Sequence, residues 1–394
     1  MRVAVIGGGA IGAAVAMFLK CEGGAAVEVT VIEPDPALTW ASSARSASSI
    51  RLQFSTPLNV QMSQFGHAVI RDASAWLSVA DEPVDLGLVN SGYLFLATAA
   101  GQSALRAQYA VQQAMKLPVA LLQPAELAQR LPWLSCDDLA LATLGEAGEG
   151  WFDGQALATA LSRKARALGA QWRRARVVGF ERDGGRLARV QLDDGALIEA
   201  DAFVCAAGAW SGGIGRLAGA DVPVHARRRT VFAFDCPTPL TAPGQPTPLV
   251  IDPSGVWFRS EGTGFIGGWS PGAGDADPDD LPLDQPDLAQ FDERLWPALA
   301  QRVPAFEALR MRSAWAGYYE VHPLDHNALI GPHPQQPNLI LACGFSGHGL
   351  QHSPAAGRGV AEWLLHGQYR SLDLRLLGYE RVLRGAPVVE QAII

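Results

Sequence analysis

Three glycines near the start of the chain have a spacing that could hold a phosphate group. Gly7, Gly9 and Gly12 form the pattern G-x-G-x-x-G within VAVIGGGAIGAAVA. Such glycines allow a tight turn, close approach of the backbone to a pyrophosphate and close helix packing. Glu33 follows roughly 20 residues later, where an acidic side chain accepts hydrogen bonds from ribose hydroxyls. The pattern predicts a bound dinucleotide, and the acid disfavours the 2′-phosphate of NADP.

The elements around these glycines must form a βαβ unit to position them. Residues 2–6 and 27–32 are predicted to be buried parallel strands on either side of a helix over residues 10–20. Further along, the periodicity predicts a helix over residues 155–168 and a buried strand over residues 202–207. Between these two lie hairpin turns of the Asp-Gly type.

The rest of the chain does not continue as regular βα repeats. The segment WASSARSASSIRLQFSTPLNV follows the second strand, and residues 223–320 show short alternating strands that predict an antiparallel sheet. The chain then returns to a buried strand, a glycine-rich turn and a long helix in NLILACGFSGHGLQHSPAAGRGVAEWLL. The glycine pattern alone fits NAD or FAD, and this irregular continuation favours FAD, whose long body needs several distant segments.

Composition narrows the class of protein. The 394 residues are 48% hydrophobic and 18% charged, which predicts a folded protein with a large core. A net charge of −8 argues against nucleic-acid binding. The five cysteines lack a CxxC spacing, and Pro323 breaks any helix that could pair His322 with His326 on a metal. We expect no metal, no transmembrane segment and a cytoplasmic location.

Several separated motifs together resemble the D-amino-acid oxidase superfamily of FAD-dependent oxidoreductases. They are GGGAIG, Glu33, SARSASSIRLQFS, CAAGAWS and CGFSGHGLQHSPAAGRGVAE, and they span the chain in the family's order. The nearest patterns are those of sarcosine oxidase, sarcosine dehydrogenase, glycine oxidase and a FAD-containing assembly factor of the respiratory chain.

The resemblance implies a fold of the α/β plus antiparallel β class. A Rossmann-like, GR2-type FAD-binding domain would carry an inserted substrate domain built on a large antiparallel sheet. The predicted FAD-binding domain is discontinuous, with residues 1–80, 143–222 and 321–394. The predicted substrate domain has residues 81–142 and 223–320.

The resemblance also implies which residues hold FAD, and that they do so without a covalent link. Ala44 and Gly317 stand where relatives carry the histidine or cysteine that bonds to the flavin. The helix after GFSGHGL would stabilise negative charge on the reduced flavin. The predicted cofactor residues are Gly7, Gly9, Ala10, Ile11, Gly12, Glu33, Pro34, Ser43, Ala44, Arg45, Ser46, Val177, Val178, Ala207, Gly208, Trp210, Gly317, Gly347, His348, Gly349, Leu350 and Gln351.

A second group of residues is predicted to bind the substrate. Arg51 stands where the family clamps a carboxylate, and a guanidinium matches a carboxylate bidentately. Gln351 replaces the family's second basic partner, so that Arg259 is a candidate to compensate. Tyr319 completes the predicted catalytic set. The resemblance implies that Tyr318, like Tyr319, lies on a segment that approaches the flavin, and that Trp257 and Trp269 come from strands above the pocket. Each of these residues is predicted either to contact the substrate or to pack in the core.

These residues favour FAD-dependent oxidation of a carbon–nitrogen bond in an amino acid, an N-methyl amino acid or a related secondary amine. Hydride would pass to flavin N5. The alternatives are a 2-hydroxy acid dehydrogenase and a flavin-bearing assembly or scaffold protein with little turnover. Phe265 is aligned with a lysine that promotes the reaction with oxygen in sarcosine oxidase. The expectation is therefore a dehydrogenase that passes electrons to a quinone or an electron-transfer flavoprotein.

Overall fold

The computed structural model describes residues 1–272 and 274–390. The strands, in chain order, are β1 (Arg2–Ile6), β2 (Glu28–Ile32), β3 (Ser49–Ile50), β4 (Tyr93–Ala97), β5 (Val119–Leu122), β6 (Leu141–Gly145), β7 (Gly150–Trp151), β8 (Gln171–Arg173), β9 (Val177–Asp183), β10 (Arg186–Leu192), β11 (Leu197–Glu199), β12 (Ala202–Cys205), β13 (His225–Asp235), β14 (Leu249–Ile251), β15 (Val256–Glu261), β16 (Gly264–Trp269), β17 (Arg310–Val321), β18 (Leu329–His333) and β19 (Gln336–Cys343).

The helices connect and cover these strands. They are α1 (Ala10–Gly23), α2 (Ser42–Arg45), α3 (Pro57–Arg71), α4 (Ala73–Leu77), α5 (Gln102–Ala114), α6 (Pro124–Arg130), α7 (Gly154–Ala167), α8 (Ser211–Leu217), α9 (Trp296–Arg302), α10 (Gly349–His366) and α11 (Glu380–Leu383).

One sheet brings together the glycine loop and three other strand ends. Its order is β18–β19–β12–β1–β2–β8, and every neighbouring pair is parallel except β18 with β19. The carboxyl ends of parallel strands lie at one edge of a sheet, where open α/β sheets bind their ligands. The loops after β1, β2, β12 and β19 therefore meet at a single edge.

The predicted βαβ unit is present as β1, α1 and β2. All residues of α1 from Ala10 to Lys20 are buried, because the helix lies between the sheet and the helices α7 and α10. It continues three residues beyond the predicted end and stops at Gly24, whose φ of +52° suits glycine. Helix α7 begins one residue before its predicted start, and the Asp153 side chain caps it by accepting a hydrogen bond from the Ala156 amide at 2.8 Å.

A second, eight-stranded sheet has the order β17–β13–β16–β15–β14–β4–β6–β5. Its pairs are antiparallel except for β4 with β14, so that the predicted antiparallel sheet contains one parallel pair. Side chains alternate between two faces. Phe232, Phe234 and Phe258 pack into an aromatic core on one face, whereas Tyr93 and Trp257 lie on the other.

The predicted domain boundaries remain a proposal, and two of them fall inside strands. Strand β6 extends to Gly145, so the boundary between residues 142 and 143 divides it. Strand β17 extends to Val321, past the boundary between residues 320 and 321. The predicted ranges also include residue 273 and residues 391–394, which lie outside the described residues. In the part of the chain that the structure describes, no helix is long and apolar enough to cross a membrane.

Candidate functional site

A cavity of about 1140 Å³ opens at the carboxyl edge of the six-stranded sheet and reaches the face of the eight-stranded sheet. This volume exceeds the roughly 300–1,000 Å³ typical of a small-molecule site, so it suits a long ligand. Of the predicted cofactor and catalytic residues, those that line it are Gly7, Gly9, Ala10, Ile11, Glu33, Pro34, Ser43, Arg45, Ser46, Val177, Ala207, Gly208, Trp210, Gly317, Tyr319, Gly347, Gly349 and Leu350.

Two glycines of the loop, Gly7 and Gly12, have no room for a side chain. Gly7 has a φ of +103°, and a Cβ there would overlap the carbonyl oxygen of Ala206. A Cβ at Gly12 would overlap the carbonyl oxygen of Gly7, so only glycine lets α1 pack this closely on the end of β1. Gly12 itself does not line the cavity. Gly9 lines the cavity directly before α1. The loop therefore presents backbone to a ligand at a helix N-terminus, which is the geometry that binds phosphate.

Glu33 ends the next strand and faces the glycine loop. Its Oε2 accepts a hydrogen bond from the Gly8 amide at 2.8 Å, and its Oε1 accepts one from the Asp35 amide at 2.9 Å. Burial raises the pKa of this carboxyl, while the two amides oppose the shift. Each oxygen keeps a second lone pair, so the carboxylate can still accept a hydrogen bond from a ribose hydroxyl.

The segment after the second strand connects the two sheets. The Ser43 hydroxyl accepts a hydrogen bond from the Ala10 amide at 3.3 Å, at the start of α1. Arg45 donates to the carbonyl of Ala316 at 2.8 Å and lies over the ring of Trp40. Gly317 faces Arg45 across this contact, and a Cβ at Gly317 would come within 3.1 Å of the Arg45 Cβ. This segment thus forms the wall between the glycine loop and β17.

A smaller cavity of about 50 Å³ adjoins the large one. Ser46, Tyr319, Gly347, Leu350 and other residues line both cavities, so that the two are neighbours. Its polar and aromatic lining comprises Ser46, Ser49, Arg51, Tyr93, Trp257, Tyr319, His348 and Gln351. All three predicted catalytic residues, Arg51, Gln351 and Tyr319, therefore lie together.

Arg51 is held in this chamber by its own loop after β3 and by the start of α10. Its Nη1 donates to the carbonyl of Gln53 at 2.9 Å, and its Nη2 lies 3.0 Å from Nε2 of His348. Its backbone amide donates to Oε1 of Gln351 at 2.8 Å. The guanidinium also lies over the ring of Phe54, 4.1 Å from the centroid. Burial lowers the pKa of Arg51, and nearby Glu390 opposes the shift.

His348 is neutral in this environment. Burial and the neighbouring Arg51 hold its pKa well below the usual range. Since a guanidinium can only donate, Nε2 of His348 accepts from Arg51 and the ring proton is assigned to Nδ1. His352, one turn along α10, is also neutral, because burial lowers its pKa to about 3. The chamber thus combines one cation with uncharged donors.

Helix α10 begins at the junction of the two cavities. Its first residue is Gly349. Two residues earlier, Gly347 has a φ of +99° and lies against the ring of Tyr319. A Cβ at Gly347 would lie 2.6 Å from Cε2 of that ring. Burial raises the pKa of the Tyr319 hydroxyl. The N-terminus of an 18-residue helix therefore points at the shared wall, where it stabilises negative charge.

Besides Gly12, three predicted positions lie outside both cavities. Ala44 packs against Ala10 and Leu38 outside the cavity lining, and the side chain of Val178 is 46% exposed, which leaves Val177 as the residue on the cavity. Arg259 lines neither cavity, because it is paired with Glu261 and donates to the carbonyl of Ala47 at 2.9 Å. Arg259 therefore does not compensate for the charge missing at Gln351.

The position of Phe265 corrects the alignment with the oxygen-promoting lysine. Its ring packs 5.0 Å from that of Phe306 and 5.7 Å from that of Phe234, in the aromatic core on the far face of the sheet. Neither cavity includes it. The neighbouring Ile266 belongs to the opposite face with Trp257. A shift of one residue along a strand exchanges the two faces. The identity of residue 265 therefore gives no information about how fast the reduced flavin reacts with oxygen.

Three further residues of the site, Tyr93, Arg229 and Glu320, belong to no sequence motif. Tyr93, on β4, donates from its hydroxyl to Oγ of Ser49 at 2.6 Å, and burial raises its pKa to about 12. Arg229, on β13, lines the large cavity and pairs with Asp277 at 2.7 Å. Glu320 follows Tyr319 directly and also lines the large cavity.

The residues present fit a flavin dinucleotide. Glycine backbone and a free helix N-terminus suit the pyrophosphate, Glu33 suits the ribose, and the N-terminus of α10 suits the electron-rich edge of a flavin ring. These three features lie on one continuous cavity that crosses from one sheet to the other. FAD, when bound, supplies a hydride acceptor at its N5 atom.

Comparison with known proteins supports the same cofactor. A family model described as FAD dependent oxidoreductase matches residues 2–363. FAD-dependent oxidoreductase domain-containing protein 1 of Bos taurus is 38% identical over the whole chain and 87% of its own length. Mitochondrial sarcosine dehydrogenase of Homo sapiens is 29% identical over 63% of the chain and 28% of its own length.

Solved structures have the same fold. L-proline dehydrogenase from P. horikoshii is similar with a TM-score of 0.84 and 26% identity, over 98% of each chain. Glycine oxidase from Geobacillus kaustophilus gives a TM-score of 0.79 at 24% identity, over 96% of this chain and 98% of its own. The predicted fold class and the predicted resemblance are confirmed. The chain belongs to the FAD dependent oxidoreductase family, and FAD is its cofactor.

Proposed function

We propose that this protein oxidises the carbon–nitrogen bond of a small, carboxylate-bearing amine: an amino acid, an N-methyl amino acid or a related secondary amine. The observation that carries the proposal is the small chamber beside the FAD cavity, which holds one buried arginine among aromatic and neutral polar side chains. Substrates of this class are named for the similar sarcosine dehydrogenase and L-proline dehydrogenase.

The chamber residues would bind and orient such a substrate. Arg51 offers a planar fork to a carboxylate, and a buried carboxylate needs such a partner. Trp257, Tyr93 and Tyr319 close the sides of the chamber around the carbon that bears the amine, and exclude water from it. His348 is neutral and adds no second positive charge, so it does not repel an amine.

No base is assigned to the step. A neutral amine can release hydride from its α-carbon without prior proton abstraction, and the resulting imine hydrolyses in water. The protein contributes position and electrostatics, while the chemistry of the two-electron transfer belongs to the cofactor. Fixed orientation of the reacting carbon accelerates the reaction strongly, because well-oriented groups react as if present at effective molarities of about 10⁵ M or more.

The test is anaerobic mixing of the holoprotein with panels of amino acids, N-methyl amino acids and 2-hydroxy acids. Loss of the oxidised flavin absorbance reports hydride transfer directly. We expect bleaching with a member of the amine panels. Bleaching with 2-hydroxy acids alone would identify the first alternative, a hydroxy acid dehydrogenase. No bleaching with any compound, in a protein that dithionite still reduces, would favour the assembly or scaffold role and refute the proposal.

We further propose that the enzyme is a dehydrogenase with a quinone or an electron-transfer flavoprotein as acceptor. The three lysines of the chain, Lys20, Lys116 and Lys164, all lie outside both cavities, so none is placed to promote the reaction with oxygen. The test is stopped-flow reoxidation in air-saturated buffer, which should be much slower than turnover with a dye. Reoxidation as fast as turnover, with stoichiometric peroxide, would identify an oxidase.

A cytoplasmic location also stays a prediction, and the similar sarcosine dehydrogenase of Homo sapiens is named as mitochondrial.

A further inference from the structure

A buried carboxyl group forms part of the wall of the FAD cavity at the start of α10. Glu320 lies at the end of β17, and only 8% of it is exposed. Its Oε2 accepts a hydrogen bond from the Gly344 amide at 3.0 Å, and its backbone carbonyl accepts one from the Ser346 amide at 3.0 Å. A Cβ on Gly349 would come within 3.3 Å of its Oε1. The carboxyl is therefore fixed against the first residue of the helix.

The groups that face this carboxyl carry no opposite charge. The amides of Gly344 and Phe345 face it from the turn before α10, and the thiols of Cys205 and Cys343 interact with it from β12 and β19. Strand β13 pairs Ala226 with it. Within residues 1–272 and 274–390, no arginine, lysine or histidine forms an ion pair with Glu320. Burial raises its pKa to about 7, and the two amides only partly oppose the shift.

We propose that Glu320 takes up a proton when the bound FAD is reduced. The inference rests on FAD as cofactor and on the placement of its electron-rich edge at α10, and is independent of which substrate is oxidised. A hydride brings two electrons and one proton, so the ring gains one negative charge. An ionised Glu320 would repel this charge in a poorly solvated site. One proton from solvent therefore moves onto the carboxylate, and it leaves again when the flavin is reoxidised.

The proposal predicts how the midpoint potential of the flavin changes with pH. Below about pH 7 Glu320 is already protonated in the oxidised protein, so reduction takes up only the proton of the hydride. Above about pH 7 reduction takes up that proton and a second one on Glu320. The potential of the wild-type protein should then fall about twice as steeply with pH as it does in the acidic range. Glu320→Gln keeps the shape but cannot ionise, and should keep the shallow slope throughout.

The experiment equilibrates the holoprotein with reference dyes and a chemical reductant between pH 5.5 and 9. It needs no substrate, so a wrong proposed function would leave the result intact. The matched control is Glu362→Gln, because Glu362 is also buried and lies on α10 but is bound to the amides of Arg370 and Ser371 outside both cavities. This control should keep the wild-type profile.

Equal slopes in the wild-type protein and Glu320→Gln at every pH would overturn the proposal. A second measurement covers the case in which the variant loses FAD. The reduced-minus-oxidised infrared spectrum of the wild-type protein at pH 8 should gain the band of a protonated carboxyl group. A spectrum without this band would equally overturn the proposal.

Discussion

Two charged side chains of the site, Glu33 and Arg51, form hydrogen bonds with other groups of the protein in the absence of a ligand. Glu33 accepts hydrogen bonds from the amides of Gly8 and Asp35. Arg51 donates to the carbonyl of Gln53 and to the ring of His348. Such partners fix each side chain in one orientation. A ligand that binds there finds a charge that has lost most of its conformational freedom, which lowers the entropic cost of binding.

Glu33→Ala should weaken the binding of FAD roughly ten- to hundredfold, because one charge-assisted hydrogen bond is lost, worth about 1.5–3 kcal/mol. The variant also leaves the amides of Gly8 and Asp35 without their acceptor. Fluorescence titration of the apoprotein with FAD measures the change. Glu28→Ala, on the same strand with an exposed side chain, is the control. An unchanged dissociation constant for Glu33→Ala would refute the assignment.

Arg51→Lys should lower kcat/KM for a carboxylate substrate roughly tenfold or more, because lysine keeps the charge but loses the bidentate fork. The loss should divide between a higher KM and a lower kcat, since the carbon is also misplaced. Arg259→Lys is the comparison, because Arg259 is equally buried but lines neither cavity. If the kinetic loss followed Arg259→Lys instead, the carboxylate would bind to Arg259.

At the scale of elements, the loops that bind the cofactor could be predicted from sequence. The side chains that the eight-stranded sheet contributes to the site could not. The glycine loop, Glu33 and the turn before α10 each carry a local signal, since glycine and an acid at fixed spacing have few structural uses. The face that Phe265 occupies depends on the register of β16 alone. Tyr93 reaches the chamber through the parallel pairing of β4 with β14, strands that are far apart in sequence.

A buried network also ties the C-terminal helix α11 to the turn after β17. The Asp325 carboxylate accepts hydrogen bonds from Arg381 Nε at 2.7 Å, from His322 Nδ1 at 3.0 Å and from the Val388 amide at 2.9 Å. Burial opposes ionisation of Asp325, but the bonds from His322 and Arg381 prevail and hold its pKa well below the usual range. Ionised Asp325 therefore stabilises the folded state.

Asp325→Asn should lower the free energy of unfolding by about 3–5 kcal/mol at pH 7, because it leaves the buried Arg381 without its counter-charge. A lowered pKa stabilises the protein above the unfolded value of about 3.9, and this contribution is lost as the pH falls further. The difference between the two proteins should therefore shrink below about pH 4. Urea unfolding of the FAD-saturated proteins measures it, with the exposed Asp373→Asn as the control. A constant difference down to pH 2 would contradict this account.

At the scale of the whole molecule, the FAD cavity is built from both large sheets and from segments throughout the chain. Contacts from many segments can retain a cofactor without a chemical bond. Among the described residues no cysteine lines either cavity, and Ala44 and Gly317 cannot form a link to a flavin. These features support non-covalent binding.

Precipitation of the holoprotein with acid should therefore release all of the yellow colour into the supernatant. Unfolding removes every contact of the cavity at once, and nothing then holds the flavin. Absorbance of the supernatant and of the redissolved pellet measures the two fractions. Flavin absorbance that stays with the washed pellet would show a covalent link, for which His225 and His348, on the cavity walls, would be the first residues to test.

The strand order of the six-stranded sheet has a consequence for synthesis on the ribosome. Strand β1 is translated before β12 and β19, yet it pairs with β12, and β12 pairs with β19. Helix α1 also packs against α10. The apolar surface of the first βαβ unit therefore stays uncovered until β12, β19 and α10 have been synthesised. Chaperone demand should be highest before β19 and α10 have formed, and the complete FAD cavity exists only after both have docked.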